Sequence, residues 1–195
     1  GVLVMNRLIV TLSFALLSST VYAGDMPPRE IMETFGVFDK MCIESNAKLS
    51  SDWPALKQLL DNGVAKELQK EEIEKVAPMG GNAWVIKLGS GSASHLYNLS
   101  QSDPTGFGMC NLQSNHGSAL DMQKTMEHLA IQQAKFLNGS LTHIKKELAG
   151  NPDIQLDVYE IAITGKSQPA VLSLSSTDTS SRSMRHSIVY QASKN

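Results

Sequence analysis

Residues 80–112 read GGNAWVIKLGSGSASHLYNLSQSDPTGFGMCNL, and this stretch decides the fold. Large side chains alternate in three runs: Trp84, Ile86 and Leu88, then His95, Tyr97 and Leu99, then Phe107 through Leu112. A period of two marks strands that bury one face. Gly- and Ser-rich turns at 89–94 and around Asp103-Pro104 separate the runs. Connections so short permit only antiparallel neighbours, so a three-strand meander is predicted.

Upstream the pattern is helical. After Pro27-Pro28, the residues Ile31, Phe35, Phe38 and Cys42 share one helical face, which predicts a helix from about 28 to 48. Asp52 and Pro54 start a short second helix with Leu56, Leu59 and Leu60 as its stripe, and Asn62-Gly63 stops it. The Lys- and Glu-rich stretch 65–76 reads as a solvated third helix.

Downstream, Ser118 with Asp121 makes a variant capping box. The apolar positions Met122, Met126, Leu129, Phe136, Leu141, Ile144 and Leu148 keep helical phase across Asn138-Gly139. They predict one long helix over 118–149, or two helices broken at that pair. Three more strands follow near 154–164, 169–175 and 184–192, with Ser176 to Ser183 a polar loop. In the first of them Ile154, Leu156 and Val158 hand over to Tyr159, Ile161 and Ile163, a phase slip that predicts a β-bulge. The expected class is α+β: N-terminal helices and an antiparallel sheet of about six strands, in two three-strand runs separated by one long helix.

The N-terminus supplies an address. Met5-Asn6-Arg7 is a basic start, Leu8 to Leu17 an apolar run, and Val21-Tyr22-Ala23 a small-residue end, which together read as a secretory signal peptide over residues 1–23. Gly1 to Val4 reads as an upstream extension of the frame, and residues 24–195 as a single domain. Ten apolar residues rise about 15 Å as a helix, half of the roughly 30 Å of a bilayer core. No membrane insertion is expected after cleavage, and the protein is expected to be periplasmic or secreted. With 17 basic against 19 acidic residues, nothing in the composition steers nucleic acid.

Cysteine usage agrees with export. Cys42 and Cys110 are the two cysteines, and in an oxidising compartment an even pair is most simply a disulfide. The long loop it would close predicts roughly 4 kcal/mol of stabilisation in the chain-entropy picture.

Catalytic motifs are incomplete. Thr164-Gly165-Lys166-Ser167 copies the end of a phosphate-binding loop, but Glu160 replaces the leading Gly and a strand follows where a helix is required. Gly89-Ser90-Gly91 leads into a strand and reads as a hairpin loop. Ser45 and Lys48 have Ser-x-x-Lys spacing without the strand motif that completes such sites, and no Gly-x-Ser-x-Gly elbow occurs. The histidines at 95, 116, 128, 143 and 186 are scattered, and on one continuous helix His128 and His143 would stand roughly 22 Å apart. No metal, no cofactor and no assembled catalytic residues are expected. Candidate binding residues are Asn115 and His116, in a polar loop ahead of a helix N-terminus, and Trp84 as an aromatic contact.

The layout resembles a group of small bacterial periplasmic proteins of unknown function: a signal peptide, a helix bearing Cys42, the Gly80-Gly81-Asn82-Ala83-Trp84 entry to the first strand, and Cys110 late in the meander. The resemblance implies an envelope address and no known activity. The expected function is non-enzymatic binding of another envelope protein, as an inhibitor, immunity or accessory factor. Two alternatives stand beside it. One is a hydrolase whose fold assembles an acid–base site from His116, His95 or His186, and the other is a small-ligand carrier with an apolar cavity under the sheet.

Overall fold

The computed structural model describes residues 26–77, 80–89, 94–102, 108–148, 151–179 and 184–194. The signal-peptide reading of residues 1–23 lies outside them. Helix α1 covers Arg29–Phe38, and its continuation Asp39–Ile43 winds as a π-helical turn that carries Cys42. Ile31, Phe35, Phe38 and Cys42 all lie buried on one face, as their spacing predicts. The helix stops short of the expected residue 48 because Asn46 and Ala47 both take φ of 52°, a left-handed turn that no α-helix continues through.

Helix α2, Pro54–Asp61, begins on its proline and buries Leu56 and Leu59. The charged stretch expected as one helix is split into strand β1, Ala65–Glu67, and helix α3, Lys70–Val76. Ala65 pairs with Ile86 at the sheet edge and is buried while Lys66 and Glu67 point to water. A single inward residue is too short a signal to stand out in a Lys- and Glu-rich run.

The meander follows as β2 (Asn82–Leu88), β3 (His95–Ser102) and β4 (Met109–Ser114). Helix α4, Ala119–Phe136, is capped by Ser118, whose Oγ accepts the Asp121 amide at 3.1 Å and donates to its carboxylate at 2.7 Å. The helix expected to reach 149 ends there. Asn138 adopts φ of 49°, and the chain turns into strand β5, Ser140–Leu148. Leu141 and Ile144 fit a helical stripe, but Thr142 and Ile144 are β-branched, and the strand that follows, Asn151–Ala162, offers this segment a full hydrogen-bonding edge.

Strands β6 (Asn151–Ala162), β7 (Ala170–Ser176) and β8 (His186–Gln191) complete, among the described residues, an antiparallel sheet of eight strands rather than six, in the order β1-β2-β3-β4-β8-β7-β6-β5. Two four-strand meanders therefore meet at the β4–β8 pair. The pairing of β6 with β7 is regular from Gln155 to Ile161, so the expected bulge is absent there. Leu156 and Val158 occupy one face and Tyr159 and Ile161 the other, and the register shift falls between Glu147 and Leu148 of β5.

One face of the sheet carries the main core, in which Trp84, Tyr97, Tyr159 and Phe38 are fully buried. Helices α1 and α4 cover it. Cys42 and Cys110 form the expected disulfide, with Cα atoms 5.3 Å apart, and clamp the end of α1 onto β4. Helix α3 buries a smaller cluster, Leu68, Ala77 and Ala83 with Ile73 and Val85, on the opposite face at the β2 end. Among the described residues no helix is long and apolar enough to cross a membrane.

Candidate functional site

The register of the meander assembles the first site. Asn98 of β3 faces Gln113 of β4, and running that pairing past Ser114 sets His116 opposite His95. Strand β8 begins at His186, opposite Ser114. Three histidines far apart in sequence thus gather at one end of the sheet beneath α1. The rings of His95 and His116 stand 4.1 Å apart, and Tyr97 lies 6.0 Å from His116.

Glu33 of α1 closes the group. Its Oε1 accepts the Tyr97 hydroxyl at 3.4 Å and lies 3.4 Å from His95 Nδ1, within ion-pair reach but off the line of a hydrogen bond. His186 donates Nε2–H to the Gly117 carbonyl at 3.1 Å, which leaves its Nδ1 a bare acceptor. His95 Nδ1, His116 Nε2 and His186 Nδ1 are all buried without a hydrogen-bond partner, a costly arrangement for polar atoms. Burial, reinforced by neighbouring His95, pushes the His116 imidazole below its ordinary value. Burial does the same to His186, against the opposing Gly117 hydrogen bond. The Tyr97 phenol is pushed up by burial.

The Asn115–Ser118 turn is tied down from the β8 side. Arg185 donates Nη2–H to the carbonyls of Asn115 at 2.6 Å and Gly117 at 3.1 Å, and Nε–H to Asn115 at 3.1 Å. Ser114 Oγ accepts the His116 amide at 3.1 Å. Of the candidate binding residues, His116 sits inside the cluster and Asn115 contributes through its backbone. Trp84 is wholly buried, with its indole N–H donated to Ser51 Oγ at 3.1 Å, so it is a core residue out of reach of any partner. Glu33 and Arg185 carry no motif and were not singled out from the sequence.

The other histidines stand apart from this cluster. His128 Nε2 lies 2.7 Å from the Gln132 amide nitrogen within α4. His143 Nε2 lies 2.8 Å from the buried Asp157 carboxylate, its ring stacked on Tyr159. Among the described residues no three His, Cys, Asp or Glu side chains are arranged to hold a metal ion. Ser45 turns its hydroxyl back to the Met41 carbonyl at 2.6 Å, away from any lysine partnership.

A second feature is the other face of the sheet. At its open-face positions, β4 offers Asn111 and Gln113, β8 offers Ser187 and Val189, β7 offers Ser173 and β6 offers Val158, and all of them are partly exposed. Ser187 Oγ donates to Asn111 Oδ1 at 2.9 Å. Within these four strands Glu160 is the sole ionisable group on that face. Water-facing sheet surfaces ordinarily carry interspersed charges, whereas charge depletion marks the core of a protein interface. A separate groove of about 490 Å³ runs between the first turns of α4 and the ends of β6 and β7, lined by Leu120, Gln123, Gln155 and Asp178 among others. It is open to solvent, and polar groups form much of its wall.

No model of a known family, no curated protein and no solved structure matches this chain. The periplasmic-protein layout of the sequence therefore has no matched family behind it.

Proposed function

We propose that this is an exported, non-enzymatic protein of the cell envelope that binds another protein through the neutral face of its sheet. The single observation carrying the reading is the near absence of charge across four adjacent strands whose side chains remain partly exposed. The occupant that fits is a folded protein with a neutral, flat surface of its own. Rows of Asn, Gln and Ser supply hydrogen bonds, and Val158 and Val189 supply apolar contact. Nucleic acid and anionic membrane both require clustered Lys or Arg, which this face lacks. The disulfide supports an oxidising, periplasmic or secreted setting.

The geometry favours this over the alternatives. A hydrolase built on the histidine cluster would want a nucleophile at an imidazole, yet the Ser114 hydroxyl serves the His116 backbone amide and both cysteines are bonded to each other. A carrier would want an apolar cavity, but large aromatic side chains fill the space between helices and sheet.

The test is capture from envelope extract with three tagged proteins. Wild type and Phe136→Lys, altered on the exposed end of α4, retain a defined stoichiometric partner, while Val189→Lys loses it. Recovery of the wild-type protein alone, or equal capture by Val189→Lys, contradicts the reading. A partner that proves to be a second copy of the chain replaces it with self-association.

A further inference from the structure

Independently of that docking face, we infer that His95, His116 and His186 form an acid-operated latch on the Asn115–Ser118 turn, whose release uncovers the apolar seam between α1 and α4. The turn is the lid of that seam. Gly117, at φ of +87°, packs so closely that a Cβ there would stand 1.9 Å from Ile31 Cδ1 and 4.0 Å from Met122 Cγ. Ile31 and Met122 are both fully buried. The lid is held by the Arg185 guanidinium and by His186 Nε2–H, both bonded to the Gly117 carbonyl.

The charged and titratable groups facing the cluster are Glu30 and Glu33 from α1, the Tyr97 phenol of β3, which burial keeps neutral, Arg185 leading into β8, and Asp178 after β7. Among the described residues only Glu33 lies within ion-pair reach of a ring of the cluster, that of His95. Protons taken up by the cluster fall on His116, where burial and the neighbouring His95 ring oppose the charge more than Glu30 and Glu33 favour it, and on His186, where burial, Arg185 and His116 oppose it against the Gly117 hydrogen bond and Asp178. Their bare nitrogens face no acceptor, and a buried cation without a partner costs more than a few turn hydrogen bonds return. Moving the turn into water relieves the repulsion and lifts Gly117 off Ile31. Because burial holds His116 and His186 below the ordinary value of 6.5, release falls on the acid side of it.

The experiment follows bis-ANS fluorescence and site-resolved amide exchange of the disulfide-bonded protein from pH 7.5 to pH 5. The expected result is a several-fold, reversible fluorescence rise together with faster exchange at Gly117 and Ser118, while amides of β6 and β7 stay protected. The rise is lost in His116→Asn/His186→Asn and kept in His128→Asn. Should the double variant fail to fold, exchange in the wild-type protein decides alone. A turn no faster at pH 5 than at pH 7.5, loss of protection everywhere at once, or an equal rise in a folded double variant overturns the latch.

Discussion

Gly117 stands where three segments converge, and its conformation and its contact with Ile31 exact the same requirement. A methyl group there meets both a left-handed backbone and the Ile31 side chain. Gly117→Ala is expected to cost about 3 kcal/mol, the sum of backbone strain and overpacking, read by urea denaturation. Gln101 fills a comparable role near the disulfide. Its Oε1 accepts the Leu49 amide at 3.0 Å and its Nε2 donates to the Ala47 carbonyl at 2.7 Å, fixing the loop that leaves α1. Gln101→Ala strands both groups and is expected to lower stability by about 2 kcal/mol in the same assay. At this scale the sequence was partly legible. His116 stood out by its place in a turn before a helix, whereas Glu33 and Arg185 gained meaning only from what the fold brought against them.

Among the elements, the disulfide is the clearest case of sequence predicting tertiary structure. It closes a loop of 68 residues between the helix bearing Cys42 and β4. Replacing both cysteines by Ser is expected to remove roughly 4 kcal/mol, measured as the shift in urea midpoint at unchanged slope. The meander was equally readable, because Trp84, Ile86, Tyr97 and Leu99 all bury the face their alternation assigns. Strand β5 was not. Leu141 and Ile144 keep helical spacing and fall on opposite faces of the strand, and what selects the strand is the edge of β6, a partner distant from any local window. The same competition hid β1, where pairing with β2 outweighs the helical preference of its Lys and Glu residues. In β6, apolar residues on both faces imitated a phase slip, since Leu156 and Val158 belong to the open face rather than the core.

Across the whole molecule, two properties follow from the joining of the meanders at β4 and β8. The first is acid sensitivity. His116 and His186 resist protonation in the folded state, so the unfolded chain binds more protons below about 6.5 and stability falls with pH. Their contribution is complete above that value and lost as pH drops through the lower folded values. Urea midpoints of the wild-type protein are expected to decline over this window more steeply than those of His116→Asn/His186→Asn. The histidine grouping was recoverable in principle from hairpin register, because His95 and His116 lie equally far from the β3–β4 turn. The addition of His186 required the non-local β4–β8 pair. The neutral sheet face was illegible for a similar reason: Asn111, Ser173, Ser187 and Val189 look unremarkable singly and become a surface only once β7, β8 and β4 lie side by side.

That surface is tested most directly by site-specific photo-crosslinking in living cells, with a photoreactive residue placed at Val189 or Ser173 on the face and at Phe136 away from it. The account predicts one discrete heteromeric adduct from both face positions and none from Phe136. Adducts of equal yield from all three sites, or none from Val189 and Ser173, would contradict it.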